Sequence, residues 1–191
     1  LLKLIEERKQ RLQKKGYFDE DKKMSLPFLP ERLGIITSPT GSVLHDIINR
    51  VNDRFPMPLD IWPVSVQGVD AVDSIINAIK SFNKMNSGKP DILIIARGGG
   101  STEDLMAFND ENLATCVFES KIPIISAIGH ETDTTIIDLV SDLRASTPTA
   151  AAEKATPVRF ELIEKIKNLQ LRLNTKVNSQ IQSKKENYEY L

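Results

Sequence analysis

Residues 92–101 read ILIIARGGGS: five apolar residues, three of them isoleucine, run directly into an arginine and three glycines. A short β-branched run closed by glycines is the pattern of a strand rather than of a helix, which needs greater length. Because no polar residue alternates within it, both faces of the strand must be covered, the situation of a parallel sheet flanked by helices. Three further short β-rich runs accompany it, LGIIT at Leu33–Thr37, LDIWPV at 59–64 and IPIISA at 122–127, of which the last is also almost continuously apolar, so that it and ILIIA are expected to be central strands. Amphipathic stretches of helical length, at 42–53, 71–85, 109–119 and 132–140, separate or follow them, and SGKPD at 87–91 is the clearest turn. The alternation predicts an α/β fold, doubly wound, with a mainly parallel sheet of four or more strands in the order 2-1-3-4.

The flanks read differently. Leu1, Leu4, Ile5 and Leu12 fall at near-helical spacing ahead of Gly16, a lead-in helix and linker over residues 1–26. The α/β domain is expected over 27–156. After Pro157 the glycines stop, and Leu162, Ile166, Leu169, Leu173 and Val177 recur at steps of three and four in a polar background. Residues 157–191 are therefore expected to start a helical, coiled-coil-like arm, with a terminal helix packed on its own domain as the competing reading.

Composition narrows the function classes. The chain has 191 residues, 40% hydrophobic and 27% charged, and no uninterrupted apolar run approaches the roughly 20 residues that span a bilayer. No membrane role is expected. One cysteine, Cys116, excludes an internal disulfide, and two histidines are too few for a Cys/His zinc site. A reducing, cytoplasmic setting is expected. The net charge of −1 gives no bulk attraction for nucleic acid, so any such affinity must be local or lie in another domain. A first residue of Leu1 rather than methionine reads as a fragment of a longer protein.

Ligands of open parallel sheets bind at the carboxyl ends of the strands. There the sequence places Thr37-Ser38-Pro39-Thr40-Gly41-Ser42, Arg97-Gly98-Gly99-Gly100-Ser101 and Gly129-His130-Glu131-Thr132-Asp133. Consecutive glycines admit positive φ and leave backbone N–H groups open to an anion, so Gly98, Gly99 and Gly100 are expected to hold phosphate with Ser101. Arg97 adds a planar, permanently charged fork for the same group. A packing turn with Arg97 in a surface ion pair is the alternative. Ser38, Thr40 and Gly41 form a second phosphate-holding candidate at a helix start. His130 is the candidate proton carrier, against a structural, hydrogen-bonded histidine. Asp133 and Asp46 are the candidate carboxylates, for water or for a metal ion, and the neighbouring His45 is expected to face solvent. The loops match neither a Walker sequence nor a dinucleotide fingerprint.

Three blocks, RLGIITSPTGSVLHDII, ARGGGSTEDLMAFNDENLA and IPIISAIGHETDTTIIDLVSDLRASTPTAAAE, resemble the exodeoxyribonuclease VII large-subunit family in order and spacing, across about Pro27 to Glu153. The segment GYFDEDKKMSLPFLPERLG resembles the family's lead-in to its catalytic domain. Met106 and Ser146 stand where the family often carries an aromatic residue and a proline. The resemblance implies a hydrolase that cleaves single-stranded DNA from both ends to 5′-phosphorylated oligonucleotides. It implies catalytic roles for Asp46, Arg97, His130 and Asp133, with either no cofactor or Mg²⁺ held by Asp46 and Asp133. It also implies an OB-fold for DNA, largely outside this chain, and several copies of a small subunit on the helical arm. Two rivals remain at this stage: a small-molecule phosphotransferase or nucleotide-binding α/β domain, and a noncatalytic scaffold for DNA and small subunits.

Overall fold

The computed structural model describes residues 2–98, 103–129 and 134–189. The chain divides into two compact units, one ending at Pro157 and one beginning at Val158.

The first unit opens with α1 (Leu2–Lys14), which ends as Gly16 takes φ +73°, the left-handed turn a glycine makes without strain. Then come β1 (Leu33–Thr37), α2 (Ser42–Arg54), β2 (Leu59–Pro63), α3 (Ala71–Lys84) and β3 (Ile92–Ala96). A 3₁₀ segment, Glu103–Asn109, leads to α4 (Glu111–Phe118), β4 (Ile124–Ala127), α5 (Ile136–Val140), β5 (Leu143–Arg144) and α6 (Pro148–Ala155). The strands form one five-stranded sheet in the order β2-β1-β3-β4-β5, every pairing parallel. The expected order holds, and the sheet gains a fifth strand of two residues.

Alternate strand residues feed two separate cores, as the two-residue period of a strand requires. Ile36, Leu93, Ile95 and Ile124 pack on one face with Leu12 of α1, Phe82 of α3, Leu113 of α4 and Ile137 of α5. Leu33, Ile35, Ile92, Ile94 and Ile125 pack on the other with Ile47 and Val51 of α2 and Ala151 and Ala152 of α6. Helices on both faces explain why β1, β3 and β4 are buried along their whole length, whereas β2, at the sheet edge, is not. The edge is charged: Arg32 donates to both carboxylate oxygens of Asp60 at 3.0 and 3.2 Å.

Helix boundaries follow their caps. The stretch 109–119 begins its α-helix only at Glu111, because Asp110 caps it by accepting from the N–H groups of Asn112 and Leu113. The stretch expected to be helical from Thr132 starts at Ile136, behind the N-cap Thr135. In α6, Thr147 accepts from the Ala150 N–H and Pro148 fills the first turn, where its missing N–H costs nothing.

The second unit consists of α7 (Arg159–Glu189), 31 residues long. Ile166, Leu169, Leu173, Val177 and Ile181 lie exposed along it. Among the described residues no helix is long and apolar enough to cross a membrane.

Candidate active site

The carboxyl ends of the strands open into two cavities that share a wall. The larger, about 870 Å³, lies between the turn after β1 and the segment after β2, and is lined by Thr37, Ser38, Gly41, Ser42, Ser65, Gln67, Arg97 and Gly98 among others. The smaller, about 150 Å³, is lined by Asp46, Gly129, Ser146 and Thr147, again with Ser42, Arg97 and Gly98. Arg97 therefore stands at the partition of both.

Parallel pairing puts it there. The Arg97 N–H donates to the Ala127 carbonyl at 3.1 Å, so β3 and β4 end side by side and the side chain emerges at the strand ends. Arg97 is 5% exposed, so its side chain lies in the protein wall rather than on the surface. A guanidinium held inside the protein wall suits a ligand that brings negative charge into the cavity.

Gly98 does not take positive φ; among the described residues only Gly16, Gly68 and Gly88 do. The physical reason for glycine is proximity instead: a Cβ at position 98 would come within 3.2 Å of Val43 Cγ2. The turn after β3 thus lies directly on the first turn of α2. Gly41 is the extended N-cap residue of α2 and supplies no side-chain cap, which leaves that helix start facing the cleft. Gly99, Gly100 and Ser101, and likewise His130 and Asp133, lie outside the described residues.

The other expectations separate. Ser38 is half-buried and lines the larger cavity, whereas Thr40 is exposed, is not on the wall, and pairs its hydroxyl with that of Ser38 at 3.2 Å. Asp46 faces the smaller cavity while His45 is exposed away from both linings. Ser65 and Gln67, and Ser146 and Thr147, complete the walls and were not singled out from the sequence. The second pair carried a readable signal, Ser-Thr-Pro at a helix start. The first carried none, since a serine and a glutamine after an edge strand fit any loop.

No cluster of three or more His, Cys, Asp or Glu side chains is present among the described residues. Asp46, with the Ser42, Ser146 and Thr147 residues on the same lining, is an oxygen-bearing wall of the kind hard cations accept. Cys116 is no rival nucleophile. It is buried, away from both cavities, and burial pushes its thiol above the ordinary range despite the Lys80 charge nearby.

A family model described as "Exonuclease VII, large subunit" matches residues 17–191. The chain belongs to the exonuclease VII large-subunit family. Relatives named exodeoxyribonuclease 7 large subunit include those of Agrobacterium fabrum, 49% identical over 97% of this chain, and Mesorhizobium japonicum, 52% identical over 97%. A third, from Parvibaculum lavamentivorans, is 53% identical over 91% of it. The matched regions cover 36%, 36% and 37% of these relatives, so the chain spans little more than a third of their length. The strand-end cavities around Arg97 lie within the matched residues.

Proposed function

We propose that this chain is the catalytic part of a nuclease that hydrolyses phosphodiester bonds of single-stranded DNA from both ends to 5′-phosphorylated oligonucleotides. The observation that carries the reading is the buried Arg97 at the partition of two strand-end cavities, with Asp46 across the smaller one. Arg97 and the amides of 98–100 hold the scissile phosphate and stabilise the charge that builds on its oxygens. Ser38 and Gly41, at the start of α2, hold an adjoining phosphate.

A 5′-phosphate product requires cleavage of the bond between phosphorus and the 3′ oxygen. Water adds to phosphorus, the 3′ oxygen departs, and His130 delivers the proton that oxygen takes up. Asp46 and Asp133 orient the water and the imidazole. Where the reaction uses Mg²⁺, these two carboxylates hold it, and the ion supplies Lewis-acid stabilisation of the phosphate. The 870 Å³ cavity accepts the nucleosides beside the cleaved bond.

A net charge of −1 leaves the grip on DNA to modules beyond this segment, such as an OB-fold with its basic groove. The exposed apolar stripe of α7 suits a helical partner, and we assign it to copies of a small subunit. A single, buried cysteine, with no internal disulfide to keep, accords with a cytoplasmic enzyme.

The test uses the full-length protein with its small subunit and end-labelled single- and double-stranded DNA, with and without EDTA. Single strands are expected to be cut and duplexes spared. Undiminished cutting by Arg97→Ala or by His130→Ala would refute the assignment.

A further inference from the structure

Beneath the strand ends lies a carboxylate that the proposed chemistry does not use. Asp138 of α5 is buried and its side chain is sealed from solvent. Its Oδ1 accepts the Ser126 hydroxyl of β4 at 2.7 Å. Its Oδ2 accepts the Thr135 hydroxyl at 2.8 Å and the Thr135 backbone N–H at 2.9 Å. The Asp138 N–H donates back to Thr135 Oγ1 at 3.4 Å, which closes a capping box. Arg144 Nε stands 4.0 Å from Oδ2.

The placement of those donors along the chain is the informative point. Ser126 precedes, and Thr135 follows, the connection that carries His130 and Asp133. One carboxylate therefore ties together both ends of that connection. A second buried amide holds the same turn from another side: Asn109 Oδ1 accepts the Ile136 N–H at 2.9 Å, and Asn109 Nδ2 donates to the Leu105 carbonyl at 3.2 Å. The return from the glycine-rich loop and the return from the histidine loop thus meet at residues 109 and 136.

A five-residue helix needs a cap, but not a sealed carboxylate. Thr147 caps α6 with a hydroxyl on the surface. Replacing buried ionic groups by apolar residues of similar volume is often neutral for stability, so stability alone is a weak reason for this arrangement. What an apolar replacement would lose is the fixed span between Ser126 and Thr135.

We propose that Asp138 is a positioning residue for phosphodiester hydrolysis: it clamps β4 to the turn at Thr135, the two flanks of the stretch of sequence that carries His130 and Asp133. This rests on the nuclease reading above.

The experiment is single-turnover and steady-state cleavage of end-labelled single-stranded DNA by the full-length large subunit with its small subunit. Asp138→Asn, equal in size but with one acceptor fewer, is expected to lower kcat about 10- to 100-fold with KM within about two-fold. In a His130→Ala background the same substitution is expected to change the residual rate by no more than about two-fold. A residue that only supports the fold would lower both backgrounds equally, and that result would overturn the clamp. So would full activity of Asp138→Asn beside an inactive His130→Ala. Should Asp138→Asn fail to fold, Thr135→Ser and Thr135→Val decide: serine keeps both donors and is expected to keep activity, valine loses the hydroxyl and is expected to lose most of kcat. Equal activity of those two would sink the idea. Unchanged hydrolysis by His130→Ala would instead reject the nuclease reading, and the clamp would fall with it.

Discussion

At the amino ends of the strands, Asp91 accepts the backbone N–H groups of Glu31 and Arg32 at 2.7 and 3.1 Å, and Asp142 accepts those of Met24 and Ile124, each at 2.7 Å. At the carboxyl ends, Asp46 makes no hydrogen bond or ion pair with any of the described residues. The same side chain thus serves opposite purposes at the two ends of one sheet. The amino end is closed, because carboxylates there satisfy peptide donors that strand pairing leaves over. The carboxyl end is open, because Asp46 and Arg97 line cavities there. Parallel pairing makes such a division natural: every strand starts at one end and stops at the other, so closing residues and reacting residues need not compete for space.

Substitutions at the open end are expected to act mainly on rate, and these are the largest effects. Arg97→Lys keeps a charge but loses the planar fork, and Asp46→Asn keeps shape but loses charge. Each is expected to lower kcat for single-strand cleavage about 10²- to 10³-fold, and for the exposed Asp46 the melting temperature is expected to move by less than about 2 °C. Paired kinetics and calorimetry check this. A fall in stability equal to the fall in rate would erase the contrast between the two ends.

At the closed end the order is reversed. Asp142→Ala strands the N–H groups of Met24 and Ile124, the latter at the start of a buried strand. Charge-assisted bonds of this kind contribute about 1.5–3 kcal/mol each, so a net loss of about 2–3 kcal/mol is expected, with kcat unchanged. Denaturant unfolding gives the value. Asp91→Ala is expected to cost less, about 1 kcal/mol, because Glu31 is exposed and water replaces its partner.

The middle of the sheet offers an intermediate test. A Cβ at Gly34 in β1 would lie 2.5 Å from Leu93 Cδ2, 3.0 Å from Pro90 Cγ and 3.3 Å from Phe82 Cζ. Gly34→Ala overpacks that face and is expected to destabilise the fold by about 1–2 kcal/mol, as read by chemical denaturation, without altering KM. A stabilised variant would mean that the Leu93 side chain rotates away freely.

The contrast between the two ends also explains what the sequence reveals. ILIIA and LGIIT disclose themselves because burial on both faces leaves each run almost wholly apolar, with Thr37 the one polar residue between them. β5 does not, since Leu143–Arg144 is too short to show any period and owes its place to β4. α6 escapes the hydrophobic pattern because its buried positions are alanines, although Thr147-Pro148 marks its start. Arg97 and Asp46 are legible as cavity-lining positions because one ends a buried strand and the other lies in the first turns of the helix that follows one. Ser65 and Gln67 join the larger cavity only through tertiary folding, which no local pattern encodes, whereas Ser146 and Thr147 are marked locally by the helix start alone. Asp138 hides for a related reason: IIDLV reads as an ordinary amphipathic turn until β4 is laid beside it.

The smallest expected effect lies within the open end itself and separates two hydroxyls two residues apart. Ser38 lines the larger cavity, half-buried, so its hydroxyl can reach a phosphate oxygen there with little competition from water. Thr40 is exposed and off the wall, and its hydroxyl already pairs with Ser38 at 3.2 Å. A hydrogen bond to a charged group contributes about 1.5 kcal/mol or more, roughly ten-fold, whereas an exposed hydroxyl in a turn contributes little. Ser38→Ala is therefore expected to weaken single-stranded DNA processing about ten-fold in kcat/KM, and Thr40→Ala to change it by less than about two-fold. Steady-state kinetics on one oligonucleotide compares them directly. A reversed ranking would move the phosphate out of the cavity and onto the exposed rim of the β1 turn, where the helix start at Ser42 rather than Arg97 would be its main contact.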